Sequence, residues 1–509
     1  MKKYYAACII MVLIISCKKS NLTTDQPQDP EKFSAAQIDA FIRQTMQVEH
    51  KFEWSAASDV MVWSALQESD HILSVGYKPA DENNVEDRLH NINISEPKWM
   101  EARNAVLDMI ITEERKLNKD ITMTNLIQWE ENVLPVVDVY VENFSTIQKL
   151  RANKMVRYAE PMGYEPKDVN ARVVGSSGCG NNIADPTLVA NVDYTTILPA
   201  CKQSWNYQYH GIPNAWTKST GSGVKIFIID SGCELDQENL GSAFNQGYSS
   251  GRTVEKIVTL PRNTIFGIPY GSAETPDDGC GHGTSMAGAC AAPRGIDGAS
   301  CGIAYNCNLV TCRASTDVFM DESREVKGAS DAFTNAGNRT DVKIISISMG
   351  RITSSSQLSD AIIYAYGKGK LIFCAAGTSF SWASGWFGVI FPATMSQVNA
   401  VTGVKENSFT STCSDCHSGS QTDFTLVMQK ASNGHSPLSL AMSGDAPSTV
   451  GGSSVATSST AGIAALVWSR FPTYTREQIV DKLIQSSSNY PTKSSSLGWG
   501  NINADAATN

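Results

Sequence analysis

Apolar residues recur at three- and four-residue spacing through Ala35 to Val48 and Trp99 to Leu117, and predict two helices. From Leu134 the period changes. LPVVDVYV reads as a strand, Thr146 to Asn153 as a short helix, and KMVRYAE from Lys154 to Glu160 as a second strand closed by Pro161. Short β-branched runs beginning at Val224, Lys343 and Lys370 predict buried strands. Near the end, GGSSVATSSTAGIAALVW (Gly451 to Trp468) opens on two glycines and two serines. It continues with small and apolar residues, enough for a helix of about four turns.

Length turns this pattern into an expectation of two domains, since 509 residues exceed one average domain. A hydrophobic fraction of 42% and a charged fraction of 18% suit a globular chain. The net charge of −10 argues against a nucleic-acid partner. The first residues, MKKYYAACIIMVLIISCKKS, have a charged start and an apolar stretch too short to span a membrane comfortably. They predict an export signal over 1–17, followed by a polar tether over 18–31. Eleven of the thirteen cysteines lie at or beyond Cys179, which fits an exported, disulfide-using part preceded by one without disulfides. Eleven is odd, so at least one thiol is expected free, and Cys374 in the apolar run LIFCAAG is the choice. The pairings themselves are not readable.

Candidate chemistry sits at three glycine-flanked places. Asp230 ends VKIFIID, where parallel sheets present catalytic groups at strand C-termini. His282 opens a small-residue helix in DDGCGHGTSMAG, and Ser454 opens the helix after Gly451. Each alone also reads as an ordinary turn or cap residue. Together, in the order Asp, His, Ser, they form one of the known orders of a nucleophilic triad. A separate motif, Cys413-Ser-Asp-Cys416-His417, matches the spacing of covalent haem attachment, but a disulfide or surface loop is the preferred reading.

These stretches resemble the catalytic domain of subtilisin-like serine proteases, the subtilases. DSG, GHGTSMAG and GGSSVATSSTAG match the three signature blocks. GIAYNCNLV at Gly302, ISISMG at Ile345, FPAT at Phe391 and GWGNINADAA at Gly498 add lesser matches. The strand–helix–strand at Leu134 to Glu160 resembles the last half of that family's inhibitory propeptide. The resemblance implies an α/β fold, a subtilisin-like three-layer parallel sheet with helices on both faces, preceded by a smaller α+β propeptide domain. The expected division is 1–17 signal, 18–31 tether, 32–172 propeptide and 173–509 catalytic domain. Ile14-Ile15-Ser16-Cys17 resembles a bacterial lipobox, so Cys17 is the expected lipidation site. The expected place is the cell envelope, as a lipoprotein held to a membrane by that anchor, or the exterior as a secreted protein.

The resemblance also assigns roles. Ser454 attacks the scissile carbonyl of a peptide or protein substrate, His282 moves the proton and Asp230 orients the imidazole. The Ser454 N–H is one oxyanion donor. The second departs from the family: Thr378 stands where an asparagine is usual. Ser348, Met349 and Gly350, with Ala375, Ala376 and Gly377, are expected to line the cleft by extended pairing. Ile390 is expected to shorten the specificity pocket, and Arg351 to favour acidic groups. The chain's own propeptide is the expected intramolecular inhibitor, cleaved between Glu165 and Gly180. No cofactor is required. Calcium is common in the family, but no ligands can be assigned and no metal site is named. A subtilase-fold lipoprotein with impaired catalysis that acts as a binding protein is the alternative, and Thr378 is the feature in its favour.

Overall fold

The computed structural model describes residues 29–166, 179–180, 182–378, 388–407 and 409–509. Cys17, nearly all of the expected tether and most of the expected cleavage window lie outside the described residues. Contacts divide the chain after Glu31. Residues 29–31 carry no regular secondary structure, and the helices and strands belong to Lys32 to Asn509.

The N-terminal region forms helices where the apolar spacing asks for them. Helix α1 (Ala35–Glu49) starts at Ser34, whose side chain exchanges hydrogen bonds with Gln37 in a reciprocal cap. Then come α2 (Asp59–Gln67), β1 (Ile72–Tyr77), α3 (Pro97–Glu114), β2 (Ile127–Trp129), β3 (Val136–Tyr140), α4 (Phe144–Arg151) and β4 (Val156–Pro161). The strands form an antiparallel sheet in the order β2-β3-β1-β4. Strand β1 has no clear signal in the sequence. All six of its residues are buried, so the alternation that marks a half-exposed strand is missing.

The second region is a seven-stranded parallel sheet. Its strands are β5 (Lys225–Asp230), β6 (Val254–Val258), β7 (Asn308–Arg313), β8 (Ile344–Ile347), β9 (Leu371–Ala375), β10 (Asn399–Lys405) and β11 (Thr422–Gln429). They lie in the order β11-β10-β9-β8-β5-β7-β6, every pairing parallel. Successive side chains of a strand point to opposite faces. Phe227 and Ile229 accordingly join one core with Phe333 of α6 (Ser323–Asn338) and Leu358 of α7 (Ser356–Gly367). Ile226 and Ile228 join another, with Met286 of α5 (His282–Ala291) and Ile463 of α8 (Gly452–Arg470). Helices thus cover both faces, and that burial explains why the strands read as continuous apolar runs. Helix α8 is buried on nearly every side, which its small residues permit.

The two regions share one core. The first of those cores continues from the sheet of the second region through α6 and α7 into Val75, Val137 and Trp99 of the first. Polar contacts frame it. Arg157 grips Asp360 of α7 through two hydrogen bonds of 2.7 Å, and Tyr158 Oη donates to the same carboxylate at 3.0 Å. Glu160 caps the start of α7, accepting from the Ser356 N–H at 2.9 Å and its hydroxyl at 2.7 Å. Gln357 links Ser74 to Asp138, 2.9 Å from the first and 3.1 Å from the second.

Candidate active site

Strand β5 lies where the sheet order reverses, with β7 on one side and β8 on the other. A crevice forms at such a switch point beyond the strand ends. Asp230 is the last residue of β5 and is fully buried there. His282 is the first residue of α5, and its Nδ1 lies 2.7 Å from Asp230 Oδ1. A carboxylate only accepts, so Nδ1 carries the proton and Nε2 is left as the base. The Ser231 N–H also donates to Asp230 Oδ1, at 2.8 Å. Burial opposes the imidazolium of His282. The Asp230 charge and hydrogen bond outweigh it, helped by Asp278 and Asp317, and hold the imidazole pKa above its ordinary value.

Asp278 is a site residue that sequence reasoning missed. It is fully buried, four residues before His282. Its carboxylate accepts from Ser231 Oγ (2.8 Å), Cys280 N (3.1 Å), Gly281 N (2.8 Å), Thr284 N (2.8 Å) and Thr284 Oγ1 (2.7 Å). It thereby caps α5 and locks the turn that aims His282. The signal was there in the paired acids of DDGCGHG, an acid just before a helix start. Gly283 then allows the β5 turn to close on the helix, since a Cβ there would lie 2.2 Å from the Gly232 carbonyl. A disulfide joins Cys280 to Cys179, so the end of the expected cleavage window is tied down two residues from His282.

Ser454 lies in the first turn of α8 and is half-buried. Helices α5 and α8 pack side by side. Among the described residues no hydrogen bond joins Ser454 Oγ to His282, and none takes up the Ser454 N–H. That N–H belongs to the unpaired first turn, where donors and the helix dipole favour negative charge. Ser348 Oγ donates to the Ser454 carbonyl at 3.0 Å and braces the turn from β8.

Thr378 meets the same turn through Ser453. Its Oγ1 lies 2.9 Å from Ser453 Oγ and accepts from the Ser453 N–H at 3.3 Å. Ser453 Oγ also accepts from the Gly377 N–H at 3.2 Å. When Ser453 donates to Thr378, the threonine proton is free to point at an oxyanion; when Thr378 donates, it is not. Gly452 completes the fit. It sits at φ +79°, and a Cβ there would press to 3.0 Å from Thr378 Oγ1.

The segments expected to line the cleft by extended pairing carry some backbone pairings of their own. Both backbone groups of Gly350 are engaged by the neighbouring segment, its N–H by Val318 O at 3.1 Å and its carbonyl by Met320 N at 3.1 Å. Ala376 pairs with Val401 and Ile390, and the Gly377 carbonyl with the His417 N–H. Ala375 ends β9, and Met349 is buried. Ile390 fills the space between the two segments, against Gly350 and Gly377. Arg351 is fully buried, and its guanidinium meets the N-terminal region instead of solvent.

Cys413 and Cys416 form a disulfide, so neither thiol is left for haem attachment. His417 packs its ring against Gly377, and burial holds its pKa down to about 4. Cys374 is free and buried in β9. Among the described residues no group of three or more His, Cys, Asp or Glu is placed to hold a metal ion. No described helix is long and apolar enough to cross a membrane.

The profile of the subtilase family matches residues 221–500, the span that carries Asp230, His282 and Ser454. Subtilisin E of Bacillus subtilis (strain 168) is 30% identical over 290 residues, which cover 57% of this chain and 66% of that protein. Thermitase of Thermoactinomyces vulgaris is 28% identical over 195 residues, 38% of this chain and 60% of its own length. The chain therefore spans less than two thirds of either relative. Among solved structures, MycP1 with the N-terminal propeptide removed aligns with a TM-score of 0.47 and 21% identity, over 60% of this chain and 97% of that one.

Proposed function

We propose that this chain, which belongs to the subtilase family, is a serine endopeptidase that hydrolyses peptide bonds through Ser454, His282 and Asp230. The observation that carries the reading is the buried His282–Asp230 pair at the start of α5, a helix packed against α8, whose first turn holds Ser454 with no partner for its N–H among the described residues. His282 Nε2 removes the Ser454 proton as Oγ adds to the scissile carbonyl. Asp230 stabilises the imidazolium that forms, and the Ser454 N–H takes the oxyanion. Collapse of that intermediate passes the proton to the leaving amine and leaves an acyl-enzyme, which water hydrolyses by the same relay. A fluorophosphonate probe is expected to label Ser454 in the processed protein and not in a Ser454→Ala variant. Absence of labelling in the processed protein would favour a binding role instead.

Thr378 supplies the second oxyanion donor in this reading, over a shorter reach than an asparagine amide. In subtilisin, a relative, losing that asparagine costs about 10²–10³ in turnover. A Thr378→Asn variant is expected to raise kcat on a peptide substrate, up to about a hundredfold, with KM little changed. An unchanged kcat would refute this role. Ile390, between Gly350 and Gly377, restricts the pocket to small side chains.

The N-terminal region acts as an inhibitory propeptide, and the lipobox-like start directs export and lipid attachment at Cys17. Its contact with α6 and α7 is sensitive to pH. Burial pushes the Asp138 carboxyl up to about 7 from 3.8, against the pull of Lys327 and Gln357. A raised carboxyl stabilises the folded chain fully below its unfolded value, and that contribution is lost as pH rises through the folded value. The uncleaved Ser454→Ala chain is therefore expected to melt progressively lower between pH 4 and 7. Adding Asp138→Asn should flatten that decline; an equal decline in both proteins would exclude Asp138 as its source.

A further inference from the structure

Arg351 is satisfied almost wholly by residues that the proposed function removes. Its Nε donates to Glu165 Oε1 at 3.0 Å, one terminal nitrogen to the Met162 carbonyl at 2.9 Å, and the other to the Tyr164 carbonyl at 3.2 Å. Among the described residues of its own region, the guanidinium holds only Thr353 Oγ1, at 3.0 Å. The Glu165 carboxylate is met from three further sides. The Ile352 N–H donates to Oε2 at 2.8 Å, the Thr353 N–H to Oε1 at 3.0 Å, and the Thr353 hydroxyl to Oε1 as well. Arg351 is 0% exposed and Glu165 3%. This is a carboxylate socket with a charged floor and two convergent backbone amides.

Resting on the protease reading, we infer that this socket is a substrate subsite: Glu165 fills it in the uncleaved chain, and an acidic side chain upstream of the scissile bond fills it afterwards. Its position follows from the chain. Ser348, whose hydroxyl braces the Ser454 carbonyl, precedes Arg351 by three residues, so at most about 10 Å of backbone separates the two. The socket therefore lies within a few residues' reach of Ser454 along a bound peptide. Direction follows from the two described ends of the N-terminal region's tail. Glu165 sits in the socket, and Cys179 is bonded beside His282. The chain reaches the socket before it reaches the catalytic residues, so a peptide lying the same way presents its acid before the bond to be cut. Once Glu165 leaves, an apolar side chain leaves both amides without partners and the guanidinium with Thr353 Oγ1 but no counter-charge, Gln returns a single uncharged acceptor oxygen, and a carboxylate satisfies all three.

The test uses full-length protein that has matured, assayed on hexapeptides carrying a fluorogenic leaving group. The peptides differ only in having Glu, Gln, Leu or Lys at one of the two to five positions before the scissile bond. At one position kcat/KM for Glu is expected to exceed that for Gln by about tenfold to a hundredfold, the size of a charge-assisted hydrogen bond. The Glu/Gln ratio should fall towards one in Arg351→Gln, and Arg351→Glu should favour Lys at that same position. Equal cleavage of Glu and Gln peptides at every position by the unmutated protein overturns the subsite, as does a Glu preference that survives Arg351→Gln. If the Arg351 variants fail to mature, the unmutated protein still decides. Its own Glu/Gln ratio is then read beside inhibition by two synthetic peptides of residues 156–166, one with Glu165 and one with Gln in its place. Tighter inhibition by the Glu165 peptide supports the subsite, and equal inhibition overturns it. Failure of the protein to cleave any peptide, with no difference from Ser454→Ala, is a distinct result that overturns the protease reading and the subsite's use with it.

Discussion

Replacing Ser454 by alanine is expected to abolish maturation and to lower peptide turnover by about a millionfold, the size of the loss when subtilisin is deprived of its serine. The prediction rests on the neighbouring hydroxyl being committed elsewhere. Ser453 is one residue away, but its Oγ accepts from the Gly377 N–H and contacts Thr378. His282 would remain paired with Asp230 with no hydroxyl to activate. The residual rate should be about 10³–10⁴ above water, because the oxyanion donors and the binding surface survive. Electrophoresis of the purified variant checks the first part: a single full-length band is expected where the unmutated chain yields two fragments. Normal processing of purified Ser454→Ala would mean that cleavage is not performed by this site.

Glu165→Ala carries the second large effect. It strands Arg351 in a buried site with no counter-charge, and breaking a buried pair from one side costs about 3–5 kcal/mol. In binding terms that is roughly 10²–10⁴ in the affinity of the N-terminal region for the rest of the chain. Measured in the uncleavable Ser454→Ala background, Glu165→Ala should lower the melting temperature. In the active chain it should release the N-terminal region sooner. Glu165→Gln, which keeps acceptors for the Ile352 and Thr353 amides, should fall between. A change below about 1 kcal/mol for Glu165→Ala would show that Arg351 finds other partners, and would weaken the socket as a carboxylate-specific feature.

Much of the fold was legible because its signals are local. The helix at Ala35 is announced by Ser34, Gln37 and the apolar spacing after them, all within one stretch of chain. The strand at Lys225 and the helices at His282 and Gly452 appear where the apolar runs and glycine-flanked starts place them. Strand β1 was not legible, because a strand buried on both faces has no alternation to read. Asp138 was visible as an acid inside an apolar strand. Its meaning was not, since Gln357 lies 219 residues away in sequence.

The candidate site divides along the same line. Asp230, His282 and Ser454 were identified in the sequence because each needs a particular short backbone form, a strand end or a helix start, which a few glycines and small residues specify. Asp278 was missed although it lay in the same motif. Five donors converge on it only once α5 and the β5 turn are assembled. Whether Gly350 and Gly377 can pair with a substrate depends on what the rest of the chain leaves unpaired, and here the Gly350 N–H and carbonyl and the Gly377 carbonyl already have partners.

The sequence by itself singled out the proposed nucleophile, its proposed base and the order in which they occur, because local backbone conformation is decided over a few residues by sterics and capping. Only the tertiary structure decided what Arg351 binds. A long charged side chain can serve many partners, and its choice of Glu165, 186 residues earlier, is made by burial and by the convergence of amides that no local pattern encodes.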